Sequence, residues 1–267
     1  MRALTFEFRF IIVAILGVIV PFGAALYLLP TQTEVYWPWV MNDGRSAMML
    51  GAGYLAAVIY YSIALRWNQW LRIKNAYWGL FTFAGVLLFA TLLHWDQFRN
   101  YYISTLIWLL FYYTGFVLVP IVFRLELLHG GNTDPKMETP KIGEPFRTWM
   151  IVRGVFYLVV TVATLLFTQE VANAFPWPIA PIDLQVAVAQ VSSIGWMGLM
   201  VALNNAWEQN QMGMIFTFFA GVFQLVALVL GPSAYDASKP LALLLPIIFA
   251  EWVVTPVVLF AVYRKGE

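Results

Sequence analysis

Residues 10–29 read FIIVAILGVIVPFGAALYLL, twenty in succession with no charge and nothing more polar than the hydroxyl of Tyr27. At 1.5 Å per residue a helix of that length covers about 30 Å, the thickness of a bilayer's hydrocarbon core. Seven further apolar runs lie near 46–65, 77–93, 102–123, 149–168, 184–203, 212–230 and 240–262. None alternates with period two, as the strands of a membrane β-barrel would. The runs therefore predict an all-α integral membrane protein of about eight transmembrane helices. Arg2 ahead of the first run suggests a signal peptide, but the apolar region is too long and no small-x-small site precedes Thr31. That segment reads as a retained span.

Composition agrees. The 267 residues are 61% hydrophobic and 11% charged, with mean hydropathy +0.76, whereas soluble domains run nearer half apolar and a quarter charged. The expected surroundings are a lipid bilayer. A net charge of +1 gives no footing for a nucleic acid. With no Cys, disulfides, thiolate zinc sites, Cys-ligated iron–sulfur clusters and thiol catalysis are all excluded.

Basic residues set the expected sidedness. With the N-terminus inside, the inner segments hold Arg2, Arg9, Arg66, Arg72, Lys74, Arg124, Lys136, Lys141, Arg147, Arg153, Arg264 and Lys265, and the outer ones only Arg45, Arg99 and Lys239. Eight spans return the C-terminus to the cytoplasm. A cell (inner) membrane with both termini cytoplasmic is the expectation.

The polar stretch from Glu126 to Arg147, with Gly130, Gly131, Pro135, Pro140, Gly143 and Pro145, reads as a cytoplasmic linker. It separates a first four-helix repeat (1–125) from a second (148–267). Trp37-Pro38 with Asp43 recurs as Trp177-Pro178 with Asp183, and Trp67-Asn68-Gln69 as Trp207-Glu208-Gln209, both 140 residues on. Ala84-Gly85-Val86 recurs as Ala220-Gly221-Val222, and Pro120 as Pro256, both 136 on. Four spans per half give the halves one orientation, hence two parallel repeats with a seam between them.

Glu251, near the middle of the last span, is the foremost candidate for chemistry. An ionised carboxylate there is costly, so it is protonated, paired or solvated; a proton or cation site competes with a neutral acid bonded within the bundle. Its counterpart in the first half is Gly115. Arg153, about one turn into the fifth span, ordinarily snorkels to the interface; pairing with Glu251 requires its guanidinium to cover one to two turns. On the sixth span Gln190 and Ser193 share a face, and Gln224 adds a buried amide on the seventh; such groups either glue helices or line a cavity.

At the outer side Trp37, Asp43, Arg45, His94 and Asp96 form a second group: an aromatic-walled pocket with an acid–imidazole pair, or an interfacial belt with Asp43 as a helix cap. His94 is the only intramembrane imidazole, His129 lying in the linker. That disfavours a bis-His haem but leaves a pigment with one axial ligand open. No phosphate loop, HExxH or GxSxG motif is present. No cofactor is implied.

Tyr36-Trp37-Pro38-Trp39 before the second span and His94-Trp95-Asp96-Gln97-Phe98 after the third resemble FWPW-like and HWDRF-like segments. These mark an uncharacterised group of bacterial polytopic membrane proteins, similar through most of the first half. This chain differs in having Gln97 where that group often has Arg, and Asp43 where a Thr-Pro cap is common. The resemblance implies an architecture and no mechanism. Three functions stay open: a protein binding or transporting a small molecule or ion at the seam, proton-linked through Glu251; a non-catalytic subunit beside other membrane subunits, pigments, quinones or lipids; and an enzyme acting on lipid through His94 and Asp96. A homo-oligomer is compatible with each.

Overall fold

The computed structural model describes residues 3–130 and 140–263. Arg2, Lys136, Arg264 and Lys265, four of the basic residues used for sidedness, lie outside them. Ten α-helices follow in order: α1 (Phe6–Leu28), α2 (Thr33–Tyr36), α3 (Gly44–Trp67), α4 (Trp70–Leu93), α5 (Ile103–Gly130), α6 (Glu144–Leu166), α7 (Thr168–Ala174), α8 (Pro181–Leu203), α9 (Trp207–Leu230) and α10 (Leu241–Tyr263). Among the described residues eight of these are long and apolar enough to span a membrane, with α2 and α7 as short connectors. The chain is a multi-pass helical membrane protein.

The helices run past the apolar stretches because polar residues cap and pair them. The Thr5 hydroxyl accepts from the N–H of Phe8 to start α1, and the Asp43 carboxylate accepts from Arg45 and Ser46 to start α3. Pro145 and Pro181 open α6 and α8 at positions where a missing N–H leaves no bond unmade. Asn68, at φ 49°, closes α3 in the left-handed conformation that Asn tolerates. α5 continues through Glu126 to Gly130 and α6 begins at Glu144, so both ends of the expected linker are helical.

Burial separates inner from outer helices. α3 and α8 bury 61% and 67% of their most apolar stretches, α1 and α5 only 22% and 17%. Glycines permit the closest approaches: a Cβ on Gly51 would sit 2.8 Å from the backbone N of Tyr27 on α1, and one on Gly154 2.7 Å from the carbonyl of Gly195 on α8. In lipid, where apolar side chains gain nothing by leaving hydrocarbon, such backbone proximity is a main source of helix cohesion.

The helices from the two sides of the linker interleave. α1 packs on α3 and α6 on α8, while α3 crosses to α9 and α4 to α8. Polar bonds fasten these crossings. Trp39 Nε1 donates to Asp183 at 2.7 Å and Trp177 Nε1 to Ser46 at 2.9 Å. Toward the opposite face, Asn75 donates to Asn210 at 3.1 Å and Arg72 to Gln211 at 3.0 Å. That second face also carries the outermost described residues: Thr5 Oγ1 donates to Glu126 at 2.6 Å, and the N–H of Gly143 to the Tyr263 hydroxyl at 2.7 Å. We call it the terminal face.

Candidate functional site

Glu251 and Arg153 form an ion pair. Arg153 Nε donates to Glu251 Oε1 at 2.7 Å, Tyr157 to Oε2 at 2.6 Å, and Thr255, one turn on, to Oε1 at 2.6 Å. Trp149 Nε1 extends the network to Thr255 at 3.3 Å. The expected snorkelling of Arg153 does not occur: its side chain is 2% exposed. The reason is geometric. Counted from the helix ends at the terminal face, Arg153 and Glu251 differ in depth by only about 5 Å at 1.5 Å per residue, within reach of two long side chains. The guanidinium also lies over the Tyr157 ring, 5.2 Å from its centroid. Glu251 is paired within one side of the molecule, between α6 and α10, and not at the seam.

At the seam the amides bond to backbone. Gln224 Nε2 donates to the Met49 carbonyl and to Gln190 Oε1, each at 2.9 Å. Gln190 leans over Gly53, where any Cβ would collide with its amide. Ser193 donates to the Gly79 carbonyl at 2.9 Å. All three residues are buried, and they tie α8 and α9 to α3 and α4.

The residues of the outer group pack, cap and bond to backbone. Trp37 packs edge-on to Trp39, Tyr54, Trp108 and Phe22 at centroid distances of 5.3 to 6.0 Å. The gap beside them, about 10 Å³, admits at most a single water. Asp43 caps α3. Arg45 donates to the carbonyls of Leu228, Gly231 and Ser233, closing the C-terminal end of α9 from the other half. His94 is not paired with Asp96, which is exposed. Gln97 Nε2 lies 3.3 Å from His94 Nδ1, and His94 Nε2 3.2 Å from Gln185 Oε1. In the loop before α3, burial pushes the Tyr36 hydroxyl up to about 12.

A cavity lies between α1, α3, α4 and α5, and two of the polar residues that the sequence offered as cavity lining, Gln190 and Ser193, reach it. Its volume is about 450 Å³, and among the described residues no charged side chain lines it. α1 contributes Ile11, Ile15 and Val18; α3 Tyr54, Ala57 and Tyr61; α4 Tyr77, Leu80 and Phe83; α5 Phe111, Tyr112 and Gly115. Gln190, Ser193, Met197 and Phe216 form its back wall, so it adjoins the seam. Phe10 and Leu110, also in the lining, are 65% and 67% exposed, and mark a lateral mouth between α1 and α5. Those two helices are joined at the terminal face by Thr5 and Glu126. A Cβ on Gly115 would meet nothing within 4 Å. Gly115, the first-half counterpart of Glu251 by sequence offset, opens onto this space.

Trp207 opens α9 and Trp70 opens α4, both 1% exposed, whereas Trp67 closes α3. No family description, curated protein or solved structure matches the chain.

Proposed function

We propose that the protein binds an apolar molecule of the bilayer in the cavity between α1, α3, α4 and α5, taking it up sideways between α1 and α5. The observation that carries this reading is a space of about 450 Å³ with an uncharged, largely aromatic and aliphatic lining and a mouth turned toward lipid. Binding pockets for small molecules commonly have volumes of about 300–1,000 Å³ and this kind of wall. The seat differs from a site on Glu251: that carboxylate holds α6 to α10, while the cavity touches the seam through Gln190 and Ser193.

Gly115→Leu tests the reading. It fills the cavity from a position with free space and replaces a helical glycine. Molecules co-purifying with the wild-type chain, counted by native mass spectrometry, are expected to fall by on the order of tenfold. Gly17→Leu, also with free space around it, leaves retention unchanged because Gly17 is outside the lining. Equal retention in all three proteins would remove the proposal.

The same reading takes the chain as two parallel four-helix repeats with both ends cytoplasmic, of the bacterial group it resembles. The pairing of α1 on α3 with α6 on α8, of α4 on α5 with α9 on α10, and of α3 on α9 with α8 on α4 supports the repeat. The bias of basic residues toward one side supports the orientation. Since the chain lacks Cys, single Lys141→Cys and Lys239→Cys variants test sidedness directly. In intact cells an impermeant maleimide is expected to label position 239 and spare 141; the reverse pattern would invert the topology.

A further inference from the structure

Resting on the cavity as a binding seat, we propose that its occupant is a neutral lipid whose ring bears carbonyl oxygens, a quinone-type molecule with its chain leaving between α1 and α5. The cavity carries hydrogen-bond donors in excess of its acceptors. The Tyr54 and Tyr112 hydroxyls lie 2.6 Å apart. Only one can donate to the other, so one O–H hydrogen of the pair is left over, and neither hydroxyl has another partner among the described residues. Tyr61 and Tyr77 also line the cavity, and among the described residues their hydroxyls have no hydrogen-bond partner. Tyr61 follows Tyr54 by seven residues, two turns along the same face of α3, at a spacing of about 10 Å.

In an apolar seat each unmade hydrogen bond costs about 1–3 kcal/mol. A hydrocarbon chain leaves every one of these donors unmet. A charged headgroup finds no counter-ion among the described residues, whose lining contains no Lys, Arg, His, Asp or Glu. A carbonyl-bearing ring supplies acceptors and no donors, which is the complement of what the tyrosines offer. Its flat faces suit the rings of Tyr54, Tyr61, Tyr77, Phe83, Phe111 and Tyr112. The lateral mouth leaves a long apolar chain in lipid, where it needs no further protein contact.

Trp108 supplies the readout, with its ring 4.4 Å from that of Tyr112. Full-length protein in nanodiscs is titrated with decylubiquinone, and quenching of tryptophan emission is followed, with decylbenzene as a competitor of equal chain length but without oxygens. Saturable quenching is expected, with decylbenzene competing at least tenfold less well. The double variant Tyr54→Phe/Tyr112→Phe keeps the ring volumes, and is expected to weaken quinone binding roughly 3- to 10-fold. If decylbenzene displaces decylubiquinone at an equal concentration, or the double variant binds unchanged, the carbonyl specificity is overturned and the cavity reading stands. If quenching does not saturate, and Gly115→Leu behaves as the wild type, both fall together.

Discussion

The space between α1 and α5 and the space between α6 and α10 occupy matching places in the helix order, yet they are filled in opposite ways. α1 and α6 are each 23 residues long, so Arg153 on α6 stands where Ile15 stands on α1. Glu251 precedes Pro256 on α10 by five residues, as Gly115 precedes Pro120 on α5. On one side an ion pair with tyrosine and threonine donors bridges the outer helices; on the other Ile15 and Gly115 face a cavity. The neighbouring glycines tell the same story. A Cβ on Gly221 would come within 2.8 Å of the Phe249 carbonyl, so α9 and α10 touch backbone to backbone. A Cβ on Gly85 would meet only the Phe116 ring, at 3.2 Å, and that ring, stacked on Phe81, holds α5 away from α4. A scaffold closed by charge on one side is held open by an aromatic spacer on the other.

The largest test of this contrast removes the charge. Glu251→Ala leaves the Arg153 guanidinium buried without its counter-ion, and is expected to lower stability by about 3–5 kcal/mol in detergent unfolding. Arg153→Leu with Glu251→Leu is expected to restore most of that, because an apolar pair of similar volume bridges the same gap. Failure of the double variant to recover would give the pair a role beyond holding α6 to α10. A smaller loss, about 1–3 kcal/mol, is expected for Gly221→Ala, since the Phe249 carbonyl cannot yield without moving α10. Gly85→Ala should cost under about 1 kcal/mol, because a ring can tilt and the helix gains by losing a glycine. Equal losses would show that α4 and α5 are packed as tightly as α9 and α10. Smallest of all, Gly115→Ala should be neutral or stabilising by up to about 1 kcal/mol, and a measurable loss would mean the space beside it is not free.

The spans were legible because hydropathy is additive along a chain and needs no partner. Which helices meet was not. Trp39 and Asp183 are 144 residues apart, and nothing local to either announces the other. Arg153 illustrates a different limit: snorkelling is the ordinary outcome for an arginine near a helix end, and only the depth of Glu251 on an antiparallel neighbour overrides it. His94 and Asp96 suggested a catalytic pair by proximity in sequence, but the turn at Trp95–Gln97 brings Gln97 to the imidazole and leaves Asp96 outside. The cavity was hardest to foresee, since empty space is written in residues that are absent. Nothing local to Tyr54 and Tyr112, 58 residues apart, announces that their hydroxyls meet there.

The crossings that weld the molecule also dictate when it can be finished. Arg45 takes its acceptors from Leu228, Gly231 and Ser233, and Asn75 from Asn210, all translated well over a hundred residues later. While the ribosome has delivered only the first four spans, those donors stand in or beside hydrocarbon with nothing to bind. Those donors gain their partners only once α8 and α9 have packed against α3 and α4. A chain truncated before α9 is expected to leave them unmet.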